Sequence, residues 1–190
     1  MTLSAGLIAS GACMFLLPAC ATHTPMVYED PSAIAVLSPT QSSSVRDVAT
    51  FVRSGSVARI NVNVTGFKPD STHGVHIHES GDCTARDASS AGGHFNPTAS
   101  DHGAPNSRPH HSGDLGNITA DANGRVYASF EVADIAFGSG QDSIIGRGLV
   151  VHAESDDLKS QPAGNSGARA ACGLVTRNAD KMTYAKTGTP

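Results

Sequence analysis

The chain has 190 residues, a length that suits one domain with processing segments at its ends. Charged residues make up 16% and aromatics 5%, with 20 Gly and no Trp, which fits a loop-rich all-β protein better than a helical bundle. The formal net charge is −4 and there is no Lys/Arg run, which argues against a nucleic-acid partner.

Residues 1–20 read as a signal peptide. Positions 7–18 are nearly all apolar or small, and no Asp, Glu, Lys or Arg precedes Glu29. The run is too short to span a bilayer. Leu17-Pro18-Ala19-Cys20 resembles a bacterial lipobox, although the n-region carries no Lys or Arg. Cys20 is therefore a lipidation candidate, and a lipid there would tether the mature chain to a membrane surface. A plain cleaved signal is the alternative. Either way the chain is expected to be exported, to the periplasm or cell envelope. Residues 21–31, polar with Pro25 and Pro31, read as a linker, 32–178 as the domain and 179–190 as a C-terminal tail. Of the four Cys, Cys13 falls in the apolar segment and Cys20 is the lipid candidate. Cys83 and Cys172 remain, an even pair in an exported chain, and should form a disulfide.

After the linker come short alternating runs. At 57–64, Ala58, Ile60, Val62 and Val64 take one face against Arg59, Asn61 and Asn63 on the other, the two-residue period of a half-buried strand. At 125–132, Val126, Ala128, Phe130 and Val132 repeat it. Further strands are predicted at 33–37, 45–51, 73–79, 148–153 and 170–175. Turn signals separate them at Ser54-Gly55, Lys68-Pro69-Asp70 and Ala122-Asn123-Gly124. About eight short strands with this punctuation predict an all-β sandwich or barrel. Residues 80–113 and 154–169 interrupt the rhythm as two long loops, and long loops in a compact domain are usually functional.

Seven of the nine His lie between His73 and His111. His76 and His78 would share one face of a strand, about 6.5–7 Å apart at the backbone, which suits two ligands of one metal. His94, His102, His111 and Asp114 lie on one loop, and three imidazoles with a carboxylate can fill a tetrahedral zinc shell. His152 ends an apolar strand.

Here a family resemblance becomes specific. His73-Gly74-Val75-His76-Ile77-His78-Glu79 resembles the copper-site strand of copper/zinc superoxide dismutases, and Ala91-Gly92-Gly93-His94-Phe95-Asn96-Pro97 their bridging-histidine motif. His111-Ser112-Gly113-Asp114-Leu115-Gly116 is similar to the zinc-site end. Gly146-Arg147-Gly148-Leu149-Val150-Val151-His152 is similar to the strand bearing the last copper ligand. The segment Gly164 to Gly173 is similar to the C-terminal signature. The similarity runs over about residues 32–176, with the motifs in order.

The resemblance implies an eight-stranded Greek-key β-sandwich or barrel with two long functional loops. It implies one copper and one zinc per chain, with copper on His76, His78, His94 and His152, and zinc on His94, His102, His111 and Asp114. His94 would bridge the pair. Asp156 would orient ligands of both metals, His73 would support the copper site, and Arg169 would attract the superoxide anion. The resemblance also pairs Cys83 with Cys172. His110, beside His111, is not assigned as a ligand because only His111 has the three-residue offset to Asp114. The implied reaction is ping-pong dismutation through Cu(II)/Cu(I) cycling. The 154–169 loop is shorter than in many members, so steering residues beyond Arg169 do not transfer, and Lys159 is a further candidate. A homodimer is the expected assembly. The alternative from another class is a metal carrier without turnover, disfavoured because the ligand set is complete.

Overall fold

The computed structural model describes residues 32–178; the expected signal segment with Cys20, the linker up to residue 31 and the tail 179–190 lie outside the described residues. Eight strands follow in chain order: β1 Ala33–Pro39, β2 Arg46–Ser54, β3 Val57–Thr65, β4 Thr72–His78, β5 Asp114–Thr119, β6 Arg125–Val132, β7 Gly148–His152 and β8 Arg169–Arg177. A 3-10 turn, Ser89–Ala91, lies between β4 and β5. The strands pair antiparallel in the order β5-β4-β7-β8-β1-β2-β3-β6. Sequence-distant neighbours (β4 with β7, β8 with β1, β3 with β6) make this a Greek-key arrangement. The end strands β5 and β6 approach without pairing, so the barrel is nearly closed.

Alternation accounts for the strands. On β3, Ala58, Ile60, Val62 and Val64 are all buried, with β2 on one side and β6 on the other. Burying a Val or Ile completely is worth about 1.5–3 kcal/mol, so this strand anchors the core. On β6 only Val126 is fully buried, while Ala128, Phe130 and Val132 pack half-buried against the core. β6 is an end strand whose inward face looks into the unclosed seam. The predicted turn at Ala122-Asn123-Gly124 joins β5 to β6. Asp121 Oδ1 accepts the N–H of Asn123 at 2.8 Å and of Arg125 at 2.9 Å. Gly124 has φ +70° and lies against the Phe67 carbonyl, leaving no room for a Cβ.

Two features differ from the sequence reading. β5 was not among the predicted strands: its two apolar residues, Leu115 and Ile118, stand three apart, so no two-residue period exists to be read. Residues 133–147, between β6 and β7, form a third loop. It closes one end of the barrel with the buried Ile135, Phe137 and Ile144, and Phe137 meets Phe51 edge-on at 6.5 Å.

Cys83 and Cys172 are joined, with Cα atoms 5.7 Å apart. The bond sits in a small cluster of Ala88, Ala91 and Val150 outside the main core and ties the 80–113 loop to β8.

Candidate metal centre

β4 divides its side chains between two faces. Val75 and Ile77 enter the core, while His76 and His78 project from the other side. β7, paired to β4, sends Leu149 and Val151 inward and brings His152 to the same outer side, where its register with β8 shifts. The 80–113 loop lays His94 over these strands. Phe95 N–H donates to the Ile77 carbonyl at 2.8 Å, and Gly113 N–H donates to the Phe95 carbonyl at 2.9 Å. Gly113 must be glycine, because a Cβ would enter the Ile77 carbonyl.

Two groups of donors result. Ring nitrogens of His76, His78, His94 and His152 lie within 4.8 Å of one another, and so do donor atoms of His94, His102, His111 and Asp114. His94 belongs to both. Its Nδ1 faces the second group, 2.9 Å from Asp114 Oδ1 and 3.4 Å from His111 Nδ1. Asp114 Oδ1 is also 3.0 Å from His102 Nδ1 and 3.2 Å from His111 Nδ1. Its Oδ2 accepts the N–H groups of His111 at 2.8 Å and Gly103 at 3.1 Å, which fixes the carboxylate plane.

In the first group each strand histidine has one nitrogen engaged and the other left for the cluster. His76 Nε2 contacts Asp156 Oδ2 at 2.8 Å, His78 Nδ1 the Gly92 carbonyl at 2.9 Å and His152 Nδ1 the Gly167 carbonyl at 3.3 Å. His78 Nε2 and His152 Nε2 then face each other at 3.4 Å. Asp156 also reaches the second group through Oδ1, 3.0 Å from His102 Nε2, and so spans both. His73 lies beneath, with Nδ1 2.9 Å from the His152 carbonyl and Nε2 2.7 Å from Ser71 Oγ. His110 lies outside both groups, with Nδ1 at the His111 carbonyl and Nε2 3.2 Å from Asp134.

Burial sets the protonation of the first group. It is the main cause holding His76 down to about 4, His78 to about 2 and His152 to about 3, so all three are neutral near pH 7. In the second group burial acts the same way on His102, but hydrogen bonds to Asp114 and Asp156 outweigh it and raise that ring to about 9. Burial alone would raise Asp114, yet donors from His102, His94 and the His111 and Gly103 backbone hold it far below the usual carboxylate range. Asp156 is held low in the same way by His102 and His76. A cation entering the second group would thus meet ionised carboxylate and displace a proton from His102.

Above the first group lies an open cleft of about 360 Å³, lined by His78, His94, His152, Gln161, Asn165 and Arg169 among others. Arg169 is half-buried there, its guanidinium donating to the carbonyls of Ala88 and Gly92. It is the only Lys, Arg, Asp or Glu among the cleft-lining residues. Lys159 is exposed and does not line the cleft.

The match of known proteins to this chain falls on the same residues. The family model described as copper/zinc superoxide dismutase (SODC) matches residues 45–175. The chain belongs to the copper/zinc superoxide dismutase family. A "Superoxide dismutase [Cu-Zn]" of Paramecium bursaria Chlorella virus 1 is 44% identical over 160 residues, covering 81% of this chain and 82% of the relative. "Superoxide dismutase [Cu-Zn] 2" of Mesembryanthemum crystallinum is 41% identical, covering 75% and 93%. An "Extracellular superoxide dismutase [Cu-Zn]" of Caenorhabditis elegans is 46% identical, covering 66% and 58%. Among solved structures, the crystal structure of the clock protein EA4 superposes with a TM-score of 0.70 at 38% identity, covering 77% of this chain and 95% of that one. Membership brings the reaction, dismutation of superoxide, and the cofactors, one copper and one zinc per chain.

The residues fit that metal pair. His76 Nδ1 and His94 Nε2 are buried without any hydrogen-bond partner, and orphaned buried nitrogens are costly unless something else binds them. Both belong to the all-imidazole group, a donor set suited to copper. In the second group Asp114 Oδ1 stands 2.9–3.2 Å from the nearest nitrogens of His94, His102 and His111, and the His94 and His111 Nδ1 atoms are 3.4 Å apart. Four ligands bound tetrahedrally to zinc would stand about 3.3 Å apart.

Some contributors carried no sequence signal. Asn117 accepts the Asp156 N–H at 2.8 Å and donates to the Asp156 carbonyl at 2.9 Å, which holds the carboxylate shared by the two groups. Arg147 stacks over Phe95 at 4.3 Å and donates to the Glu79 carbonyl, bracing the peptide that carries His94. Both act through main-chain and ring contacts between segments distant in sequence.

Proposed function

We propose that His76, His78, His94 and His152 hold copper, that His94, His102, His111 and Asp114 hold zinc, and that His94 is the shared bridge. The observation that carries this is His94 itself, with Nδ1 against Asp114 and a buried, unpartnered Nε2 on the side of the other group. Copper held there would supply a one-electron acceptor and donor, Cu(II) and Cu(I), for a ping-pong dismutation in which one superoxide ion would lose an electron to give O2 and a second would gain it to give hydrogen peroxide. His94 would carry one of the two protons that peroxide needs, held at Nε2 between the half-reactions, and the open cleft would admit the second from solvent. Asp156, gripped by Asn117, keeps the rings of His76 and His102 in place. His73 holds the His152 main chain from below.

Arg169 attracts and seats the anion. The protein is net negative, so a local positive field must do this work, and Arg169 provides it at the cleft beside the imidazoles. Arg169→Glu should slow superoxide decay at least tenfold at low ionic strength, within the range such steering contributes, while copper and zinc contents stay unchanged. Equal decay rates for the two proteins would remove Arg169 from this role.

We also place the enzyme outside the cytoplasm, where it removes superoxide at the cell envelope. The Cys83–Cys172 bond and the extracellular relative are consistent with export. Residues 1–20 serve as the signal, Cys20 as the lipid attachment site in the periplasm, and the assembly is a homodimer. Cys20→Ser should move the protein from the membrane to the soluble fraction; an unchanged distribution would refute the anchor.

A further inference from the structure

We propose that Gln161 is a positioning residue for zinc, fixing the main chain of His102 while Asp156 fixes its ring. This rests on the assignment of His102 to the zinc group. Gln161 Oε1 accepts the His102 N–H at 2.9 Å, and its Nε2 donates to the His102 carbonyl at 3.0 Å. One side-chain amide thereby pairs with both main-chain polar groups of His102, as a neighbouring strand would.

His102 needs this more than the other ligands do. His76, His78 and His152 stand in paired strands and Asp114 begins one. His94 is bridged to His78, and the His111 N–H is taken by Asp114. His102 lies in irregular chain between β4 and β5, and among the described residues its two main-chain groups meet no partner but Gln161. Its ring nitrogens are already committed to Asp114 and Asp156. Without Gln161 the ring would keep its partners, but the segment bearing it would swing about them.

The same side chain lines the cleft over the copper group, beside His78, His94 and Arg169. The shape of one wall of the superoxide channel is therefore linked to how firmly His102 is held. The short 154–169 loop achieves this with a neutral residue, since Gln161 adds no charge to a cleft whose field comes from Arg169.

Partners that orient a ligand typically change metal affinity by about 10–100-fold when removed. Gln161→Met keeps the length and loses both hydrogen bonds to His102; Gln161→Glu keeps the acceptor for the His102 N–H and loses the donor to its carbonyl, and either change also removes the 3.3 Å hydrogen bond from Nε2 to the Lys159 carbonyl. The measurement is the rate of zinc transfer from zinc-loaded protein to a chromophoric chelator, alongside copper retention and the melting temperature of the metal-free protein. Zinc should leave Gln161→Met at least about tenfold faster and Gln161→Glu at an intermediate rate, with copper retention and metal-free melting unchanged. Unchanged zinc release, or faster release matched by a lower metal-free melting temperature, would overturn the proposal. His102→Asn separates the two levels. If zinc is lost there yet unaffected in Gln161→Met, only the positioning role fails; if His102→Asn keeps its zinc, the zinc assignment itself fails.

Discussion

His94→Ala is expected to lose both metals. The ring supplies a donor to each of two groups, and no other side chain among the described residues does so. Removing a residue that merely orients a ligand costs about 10–100-fold in affinity, so deleting a ligand should cost more than that at each site. The zinc side would also lose the donor that helps hold Asp114 ionised. His152→Ala is the matched comparison: it should lower copper and leave zinc in place, because His152 touches only the first group. Metal analysis after dialysis distinguishes the two. Full copper and zinc in His94→Ala would refute the bridge.

The second large effect concerns the Cys83–Cys172 bond. Its half-cystines are 89 residues apart. A loop of that length corresponds to about 4.5 kcal/mol in the chain-entropy account. For a domain of this size the double Cys→Ser variant should melt roughly 10–18 °C lower. The bond also secures the segment whose Ala88 and Gly92 carbonyls hold Arg169, and Gly92 holds His78 as well. The variant should therefore lose zinc more readily and turn over more slowly even at temperatures where it stays folded. An unchanged melting temperature would show that the Ala88, Ala91 and Val150 cluster alone holds the loop down.

How legible this was in the sequence depended on where the signal lay. β3 and β6 were readable because alternation of apolar and polar residues is a local consequence of having one face in the core. β5 was not, because in Asp114-Leu115-Gly116-Asn117-Ile118-Thr119 the two apolar side chains, Leu115 and Ile118, stand three apart and leave no alternation to read. The histidines stood out because seven crowd into a short stretch, and the family motifs ordered them. The structure brings the assigned ligands, Asp156, His73 and Arg169 into one neighbourhood and leaves His110 outside. Lys159 illustrates the opposite case: its charge was legible in the sequence, but only the fold shows that it is exposed and not among the cleft-lining residues. Gln161, Asn117 and Arg147 were silent because each acts on a backbone group or ring that only the fold brings near.

The most direct measurement is the decay rate of superoxide with the protein loaded with one copper and one zinc per chain. A rate near the diffusional ceiling, about 10⁸–10⁹ M⁻¹s⁻¹, that disappears when copper is withdrawn is the expected result. Decay no faster than that of the copper-free protein, with both metals verified as bound, would contradict it and leave a metal carrier in its place.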